Sequence, residues 1–387
     1  MTSYLKSFLG YDNEPPEKRT QQGLPALWYH SPELYQLERR AIFSKKWMLI
    51  THKNRFADSG DYLRYTQAGY SFFLCQDKQG KISGFHNLCR HRGFPLIHDD
   101  SGNAKILSCQ YHGWSYGIDG KLAKAPHFED IPDFQKSENG LMPVHVHIDR
   151  LGFVWVNLDA AKVPTTSWDE QFPNADTQKR YEPFDLSEYA YDHSWDQQAD
   201  CNWKILADNY NECLHCRTAH PDTRPLVQVH AYKVEPEAGA LKHFNKRQEN
   251  GLNDGKIQIA STYYFPNACM TYEVYRHKNA SDKDFEEIDG FFKRVLGEDK
   301  WLCNHTQASL SAGVYVSGRL HSEYESGPLY FQELVKAAVL EHSKEEKKLG
   351  KEIWPAAQTV TGDKVTKELE FCSGLACDPK KQEVLSW

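Results

Sequence analysis

Two short segments that each contain one cysteine and one histidine constrain this chain more than any other feature. The first runs from Cys89 to His91, and the second runs from Cys109 to His112. Each segment offers one thiolate and one imidazole within three or four residues. Together they can bind either a single tetrahedral zinc ion or a two-iron cluster, and these two choices lead to different functions.

The order of the ligand types favours the cluster. Zinc knuckles more usually pair two cysteines or two histidines. A Rieske [2Fe–2S] centre instead needs two cysteines on one iron and two histidines on the other. Gly93 and Gly113 follow the two segments, where glycine lets the backbone approach a cluster closely and frees amide donors for its sulfurs. Read as C-R-H-R-G and C-Q-Y-H-G-W-S-Y, the segments resemble the Rieske signature; a zinc ribbon or two unrelated buried pairs are the alternatives.

Composition excludes several other classes of protein. The chain has 387 residues, a formal net charge of −7 and 13% aromatic residues, which favours a large packed core and gives no sign of nucleic-acid binding. No apolar run approaches the roughly 18 residues of a membrane span. The N-terminus lacks a secretory apolar region, and the ten cysteines of the chain are scattered, so we expect reduced thiols and a cytoplasmic location.

Three regions follow one another along the chain. Residues 1–46 are predicted to be a helical segment, because Ser31 and Pro32 form a typical helix start. Residues 47–160 contain short apolar runs separated by turn residues, which predicts an antiparallel β domain that holds both Cys/His segments. After a linker at 162–167, residues 168–387 have a mixed pattern. Helices are expected over 203–219 and near 331–341, with strands near 257–265 and 313–317.

The segment from residue 202 to residue 221 contains a second set of metal-competent side chains. On a regular helix Asp208, Glu212 and His215 would share one face. His220 would lie roughly 140° around the axis from His215, so an irregular turn is needed to bring the two histidines together. Two histidines and one carboxylate from elsewhere make the facial triad of a non-haem Fe(II) oxygenase.

Two other interpretations of this segment stay open at this point. The histidines can be ordinary helix-surface or core residues. The run Cys-Leu-His-Cys at 213–216 can also imitate a zinc knuckle, although Cys213 and His215 would diverge on a helix.

The order of these motifs resembles the catalytic α subunit of Rieske non-haem iron oxygenases over nearly the whole chain. The resemblance rests on the two Cys/His segments and on N-W-K-x-x-x-D-N-Y-x-E-C-x-H-C-x-x-x-H. It implies an α+β chain, in which an N-terminal antiparallel β Rieske domain precedes a helix-grip catalytic domain with a long antiparallel sheet. It also implies that His215 and His220 bind iron together with Asp299, which lies in the E-D…Q setting of residues 298–307. Asn304 departs from the glutamate that relatives often have.

The resemblance further implies two cofactors and an assembly. The cofactors are a [2Fe–2S] Rieske cluster and a mononuclear Fe(II). The assembly is a homotrimer in which the cluster of one subunit transfers electrons to the iron of the next. By position, Glu212 would bridge the two centres, with hydrogen bonds to His215 and to His112 of the neighbouring subunit. Asp208 and Asn209 are further candidates for supporting the iron site.

The resemblance also guides the prediction of substrate and reductase. A glutamate at position 212, within N-Y-N-E-C-x-H-C, is more similar to the branch that acts on carnitine, glycine betaine, choline and similar quaternary amines. We therefore expect O2-dependent C-hydroxylation or oxidative N-dealkylation of such a compound. The chain has no Gly-rich dinucleotide fingerprint, so a separate flavin or iron–sulfur reductase is expected to oxidise NAD(P)H.

A trimethylammonium group is typically bound by an aromatic cage through cation–π contacts. The catalytic region offers five candidates, each of which also suits ordinary core packing: Tyr210, Tyr263, Tyr264, Phe265 and Tyr272. Within the same iron chemistry, an aromatic or polycyclic substrate is the alternative. A non-catalytic Rieske electron carrier is a second alternative, which the histidines at 215 and 220 disfavour.

Overall fold

The computed structural model combines antiparallel sheets with two long helices near the C-terminus. It describes residues 20–182, 184–223, 228, 231–237, 240–244, 257–262, 269–358, 368–369 and 371. Within these residues no helix combines the length and the apolar character that crossing a membrane requires.

The strands, numbered in chain order, are β1 (Thr20–Gln22), β2 (Met48–His52), β3 (Asp61–Gln67), β4 (Tyr70–Gln76), β5 (Ile82–His86), β6 (Ser101–Asn103), β7 (Ile106–Ser108), β8 (Ser115–Gly117), β9 (Leu122–Lys124), β10 (Pro143–Ile148), β11 (Phe153–Asn157), β12 (Tyr189–Gln198), β13 (Lys233–Glu237), β14 (Ala240–Phe244), β15 (Ile257–Thr262), β16 (Cys269–His277) and β17 (Arg319–His321). The helices are α1 (Pro32–Glu38), α2 (Trp168–Gln171), α3 (Trp203–Tyr210), α4 (Cys216–Ala219), α5 (Asp282–Ser311) and α6 (Ser326–Leu349).

The N-terminal half is built on two antiparallel sheets. A seven-stranded sheet has the order β2-β11-β10-β5-β4-β3-β6, and a three-stranded sheet has the order β7-β8-β9. The first Cys/His segment lies in the loop between β5 and β6, and the second lies in the loop between β7 and β8. Side chains from both sheets, including Phe73, Trp114 and Tyr116, form one buried cluster around Cys89 and Cys109. This packing brings the two loops together.

The second half places helices beside a smaller antiparallel sheet. In the described residues this sheet has the order β12-β16-β15, while β13 pairs with β14 and β1 pairs with β17. Ile205 and Leu206 of α3 pack against Met270 of β16 and Cys303 of α5 in a buried cluster. This cluster holds α3 between the sheet and the long helix α5, and so positions the residues that follow α3.

A buried charged cluster joins the two halves. Glu273 of β16, which is 1% exposed, accepts hydrogen bonds from the hydroxyls of Thr51 (2.8 Å) and Tyr275 (2.8 Å) and from the guanidinium of Arg55. Thr51 belongs to β2 of the N-terminal sheet. Since a buried carboxylate is costly unless its oxygens are paired, these donors tie the two sheets to one arrangement.

The predicted helix start at Ser31 is confirmed. The Ser31 hydroxyl accepts a hydrogen bond from the backbone N–H of Leu34 (3.1 Å), and Pro32 is the first helical residue. The chain then continues from α1 into a single π-helical turn at Arg39–Phe43, which packs on α6.

The prediction of one helix over residues 203–219 is wrong. Helix α3 ends at Tyr210, and α4 is a separate single turn. The side-chain amide of Asn211 donates to the carbonyl of Ala207 (2.7 Å) and so competes with the backbone for the last turn of α3. Glu212 then accepts backbone N–H groups from Leu214 and from His215 (3.3 Å), which fixes a turn where a helix was expected.

The predicted strand over residues 313–317 is also wrong. Helix α5 continues to Ser311, and Gly313 has a positive φ of 75° that turns the chain away from the helix axis. The carbonyl of Val316 accepts from the N–H of Ala26 (2.7 Å), but the ladder with β1 begins only at Arg319. The predicted helix near 331–341 lies within the longer α6.

Candidate metal centres

The two Cys/His loops have the same backbone geometry. The carbonyl of Cys89 accepts the N–H of Gly93 (2.9 Å), and the carbonyl of Cys109 accepts the N–H of Gly113 (3.0 Å). Both glycines have a φ of +71°, a left-handed conformation that glycine adopts without steric cost. Each loop therefore turns back sharply after its histidine and presents one cysteine and one histidine towards the other loop.

The side chains of these loops surround a site in which one buried nitrogen has no hydrogen-bond partner in the protein. Cys89 and Cys109 are 2% and 3% exposed, and the hydroxyl of Tyr116 lies 3.3 Å from the Cys89 sulfur. The rings of His91 and His112 are 4.6 Å apart between centroids. Nδ1 of His91 is buried and has no hydrogen-bond partner, which is rare for a buried polar atom and is explained if this nitrogen binds a metal.

The spacing of these four side chains separates the two metal hypotheses. A single tetrahedral zinc ion would bring its ligand atoms to about 4 Å from one another. In the part of the chain that the structure describes, only one set of three or more ligand atoms falls within 4.8 Å, and it lies elsewhere. The wider separation in the Cys/His loops fits a two-iron cluster, which places its cysteines and histidines on different ions.

One edge of this site faces solvent. His112 is exposed, and the ring of the neighbouring Tyr111, which is 51% exposed, lies 3.9 Å from the His112 ring. His91, in contrast, stacks on the buried Trp114 at 5.1 Å. Of the two histidines, His112 is therefore the one that another protein surface can reach.

The compact set of ligand atoms belongs to His215, His220 and Asp299. Oδ1 of Asp299 lies 3.0 Å from Nε2 of His220 and 3.3 Å from Nε2 of His215. The two histidines flank the short helix α4, and Asp299 projects from α5. The break in the helix after Tyr210 is what allows histidines five residues apart to meet at one point.

The outer nitrogen of each histidine contacts a glutamate. Nδ1 of His215 lies 2.5 Å from Oε1 of Glu212, and Nδ1 of His220 lies 2.6 Å from Oε2 of Glu298. A carboxylate on Nδ1 keeps the proton on that nitrogen, orients the ring and leaves Nε2 free for a metal. The contact between Glu298 and His220 was not predicted from the sequence. The position of Glu298 directly before Asp299 was the signal that could have indicated it.

The charges of the site stabilise each other. Burial lowers the pKa of His215, but hydrogen bonds and charge interactions with Asp299 and Glu212 outweigh it and raise that pKa to about 9. For Asp299, burial raises the pKa, but the two histidines lower it to about 2. The pKa of His220 is also raised, by Asp299 and Glu298 against the effect of burial. Such an anionic site attracts a cation, which would displace the protons from Nε2.

The donor set fits a non-haem Fe(II) ion. Two imidazole nitrogens and one carboxylate form a facial triad and leave coordination positions open. Of these donors, Asp299 and His215 are partly accessible, whereas His220 is 2% exposed. The site therefore combines one buried ligand with two that solvent can reach.

Asp208 and Asn209 border a neighbouring cavity of about 700 Å³, which Glu212 and His215 also line. The hydroxyl of Tyr29 donates to Oδ2 of Asp208 (2.6 Å). Burial raises the pKa of Asp208 to about 7. Asp208 and Asn209 thus border the same cavity as Glu212 and His215.

The structure describes two of the five predicted cage residues. Tyr272 is 2% exposed, stacks on Trp195 at 4.4 Å and donates its hydroxyl to the Met270 sulfur (3.2 Å), so it is a core residue. Tyr210, at the end of α3, is 55% exposed, and its ring lies 5.5 Å from that of His243. The other three candidates lie outside the described residues: Tyr263, Tyr264 and Phe265.

The prediction that the cysteines are reduced thiols is wrong for one pair. Cys213 and Cys216 form a disulfide within the turn that carries His215. This bond also excludes a zinc knuckle at 213–216 in this state, since both sulfurs are bonded to each other. The Cα atoms of the two cysteines lie 5.0 Å apart.

Comparisons with known proteins agree with this arrangement. The sequence profile of the Rieske [2Fe–2S] domain matches residues 46–135, and the profile of the catalytic domain of ring-hydroxylating alpha subunits matches residues 186–259. The carnitine monooxygenase oxygenase subunit of Acinetobacter pittii is 31% identical over 350 residues, which cover 80% of this chain and 93% of that protein. The chloroplastic choline monooxygenase of Beta vulgaris is 25% identical over 351 residues, which cover 82% and 76% respectively.

A solved structure shares the fold. The quaternary ammonium Rieske monooxygenase CntA in complex with L-carnitine superimposes with a TM-score of 0.72 and 23% identity, over 82% of this chain and 96% of that one. The predicted α+β architecture, with a Rieske β domain followed by a catalytic domain on an antiparallel sheet, is confirmed. The chain therefore belongs to the Rieske non-haem iron oxygenases, as a catalytic α subunit that carries a [2Fe–2S] cluster and a mononuclear iron.

Proposed function

We propose that this oxygenase hydroxylates a quaternary ammonium compound of the choline, carnitine or betaine type. The observation that carries the proposal is the 31% identity to a carnitine monooxygenase subunit over 93% of its length. The glutamate at position 212, within the N-Y-N-E-C-x-H-C run, supports it, as does the choline monooxygenase relative.

The site residues have separate roles in this proposal. Cysteine and histidine side chains at 89, 91, 109 and 112 hold the cluster, and His215, His220 and Asp299 hold the iron. When bound, the cluster supplies single electrons and the iron activates O2. Glu212 and Glu298 keep the protons on Nδ1 of their histidines, as their distances of 2.5 Å and 2.6 Å support.

The net reaction consumes one O2, two electrons and two protons for each substrate, and yields a hydroxylated product and water. Hydroxylation of a carbon attached to the ammonium nitrogen gives a hemiaminal, which collapses to a smaller amine and an aldehyde. Hydroxylation of a carbon that already bears a hydroxyl gives an aldehyde hydrate with the C–N bonds intact, and hydroxylation of any other carbon gives a stable alcohol. Release of a smaller amine therefore distinguishes N-dealkylation from C-hydroxylation.

Aromatic rings are expected to receive the cationic head of the substrate. Tyr210 supports this, because its ring is exposed at the end of α3, two residues before Glu212. Tyr263, Tyr264 and Phe265 are proposed from their sequence alone. Tyr272 is a weaker candidate than they are, since it is packed in the core.

We also propose that electrons pass between subunits of a homotrimer, from His112 of one subunit through Glu212 of the next. Two observations support this path. His112 is exposed, and Glu212 contacts His215 while lining a cavity that opens to solvent.

We further propose that a separate flavin or iron–sulfur reductase oxidises NAD(P)H. The proposed location is the cytoplasm, where both cluster assembly and such a reductase are expected. The proposed domains are residues 1–46, 47–160 and 168–387.

A coupled assay tests the proposed function. The protein is supplied with a reductase and NADH, and choline, carnitine, several betaines and several aromatic acids are compared for O2 use and product. We expect one ammonium compound to give product in equal amount to the O2 consumed. Asp299→Ala should retain the visible and EPR signals of the cluster and lose product. Turnover of an arene, with only unproductive NADH oxidation on every ammonium compound, would overturn the substrate assignment.

A further inference from the structure

The disulfide between Cys213 and Cys216 lies inside the metal-binding turn. It closes a small ring over Leu214 and His215, and it directly follows Glu212. The ring that it closes therefore contains His215, and Glu212, whose carboxylate contacts His215, lies one residue before the ring. The proposed oxygenase chemistry gives no role to this bond.

The Cys216 sulfur is close to the nitrogen that faces the metal. It lies 3.8 Å from Nε2 of His215, the same nitrogen that lies 3.3 Å from Oδ1 of Asp299. Typical bond lengths to sulfur and nitrogen in a tetrahedral site put two such ligand atoms about 3.6 Å apart. The separation of the Cys216 sulfur from Nε2 of His215 is thus close to that of two ligand atoms on one ion.

The state of this sulfur decides whether it can bind a metal. A thiolate is negatively charged and is a strong ligand for zinc and iron, whereas a sulfur in a disulfide carries no negative charge. Reduction of the disulfide would therefore allow Cys216 to occupy a coordination position on the metal. Asp299, His215 and His220 would be unchanged.

In the single chain the bond is accessible to a reductant. Cys213 and Cys216 are both partly exposed, and Leu214 between them is 50% exposed, whereas Cys75 in the N-terminal sheet is 1% exposed. Disulfides in a reducing compartment are usually transient and redox-sensing rather than structural. Position and exposure therefore agree with a bond that is opened and closed.

We propose that Cys213 and Cys216 form a reversible redox site, in which reduction frees Cys216 to bind the mononuclear metal as an additional sulfur ligand. A dithiol supplies two electrons and two protons by thiol–disulfide exchange; it leaves as a disulfide, and Cys213 and Cys216 become thiols. On binding the metal, Cys216 releases its proton to solvent. The added ligand fills a position that the triad leaves open, so the disulfide form is the active one.

The redox state can be measured on one peptide. Trypsin releases residues 205–217, which contain Cys213 and Cys216 and no other cysteine. The holoprotein is treated with a dithiol or left untreated, and the reaction is stopped with acid. The free thiols are then blocked, and the mass of the tryptic peptide is measured by mass spectrometry. We expect a peptide without blocking groups before reduction, two blocked cysteines after it, and restoration on air oxidation. Two blocked cysteines in the untreated, air-exposed protein would overturn the redox site.

The ligand role is tested with zinc, whose X-ray absorption edge is separate from the iron of the cluster. The mononuclear site of the cluster-loaded protein is emptied with a chelator and filled with Zn(II). We expect a zinc–sulfur distance of about 2.3 Å only in the reduced protein. Cys213→Ser, which leaves Cys216 permanently free, should show this distance without reductant, and Cys216→Ser should never show it. Cys75→Ser is the control that must behave as the wild type.

The outcomes separate this inference from the proposed function. Absence of zinc–sulfur scattering in both the reduced wild type and Cys213→Ser would overturn the ligand role, as would its presence in Cys216→Ser. Neither result depends on a substrate, so it stands whichever compound the enzyme oxidises. If the inference is correct, Cys213→Ser should also turn over at least about tenfold more slowly than Cys216→Ser.

Discussion

Oε2 of Glu298 lies 2.6 Å from Nδ1 of His220, in the relation that Glu212 has to His215 on the other side of the metal site. Glu298 precedes Asp299 on helix α5. One helix therefore supplies both a proposed metal ligand and the carboxylate that orients a second ligand. The rigidity of α5 fixes the two together, which links the position of Asp299 to the orientation of His220.

Replacement of Glu298 by alanine should weaken metal binding without removing a ligand. His220 would lose the acceptor that keeps its proton on Nδ1, and loss of such a partner typically costs about 10- to 100-fold in metal affinity. The dissociation constant for Fe(II) or Zn(II) can be measured by competition with a chelator. Glu298→Gln should cost less, because an amide oxygen still accepts the hydrogen bond. Exposed Glu286 on the same helix gives the control Glu286→Ala, and equal affinity in Glu298→Ala and this control would contradict the role.

Replacement of Glu212 by glutamine should separate metal content from electron transfer. The amide can still contact His215 and accept backbone N–H groups of the turn, so both metal centres should load normally. It cannot carry the negative charge between the imidazoles, and we expect turnover to fall about 100-fold. The measurement is the rate at which O2 reoxidises the reduced cluster in the presence of substrate. Normal product formation by a fully loaded variant would refute the bridging role.

The Cys/His loops were predictable from sequence because their ligands are local. Each loop needs only a cysteine, a histidine and a glycine at fixed spacing, and the structure repeats one hydrogen-bond pattern around both. The helix start at Ser31 was predictable for the same reason. In contrast, the turn after Tyr210 depends on Asn211 and Glu212 using their side chains in place of backbone partners, which propensity and periodicity do not register.

The contacts between distant segments could not be derived from spacing. Asp299 was found only through the family resemblance, and its distance from His220 depends on the packing of α5 against α3. The side chains of Asn304 and Gln307 accept from the N–H groups of Asp200 (2.8 Å) and Asn202 (2.7 Å), and so hold the start of α3 against α5. These bonds span about a hundred residues, and a single sequence carries no signal for them.

Breaking the buried ion pair at the start of α3 should destabilise the protein. Nζ of Lys204 lies 2.6 Å from Oε1 of Glu38, and both side chains are fully buried. Removal of one partner leaves an unpaired buried charge and typically costs about 3–5 kcal/mol. We therefore expect Glu38→Ala and Lys204→Met each to lower the free energy of unfolding by about this amount. The double variant should lose clearly less than the sum of the two in denaturant titrations, and strict additivity would show that the pair is not coupled.

Asp208 should make the stability of the protein fall as the pH rises. Burial raises its pKa from 3.8 to about 7, so between about pH 4 and about pH 7 the folded state keeps a proton that the unfolded state has released. The free energy of unfolding then decreases with pH through this window and levels off above about pH 7.

Asp208→Asn removes this titration and keeps an oxygen that can accept from Tyr29, whose hydroxyl lies 2.6 Å from the Asp208 carboxylate. The stability of the variant relative to the wild type should therefore increase from about pH 4 to about pH 7. At about 1.4 kcal/mol per pKa unit the gain is a few kcal/mol at most, and less because Asp208 borders an open cavity. Thermal unfolding across this range measures it, with exposed Asp200→Asn as the control. If the curves of Asp208→Asn and the wild type run parallel at every pH, Asp208 ionises in the folded protein as it does in water.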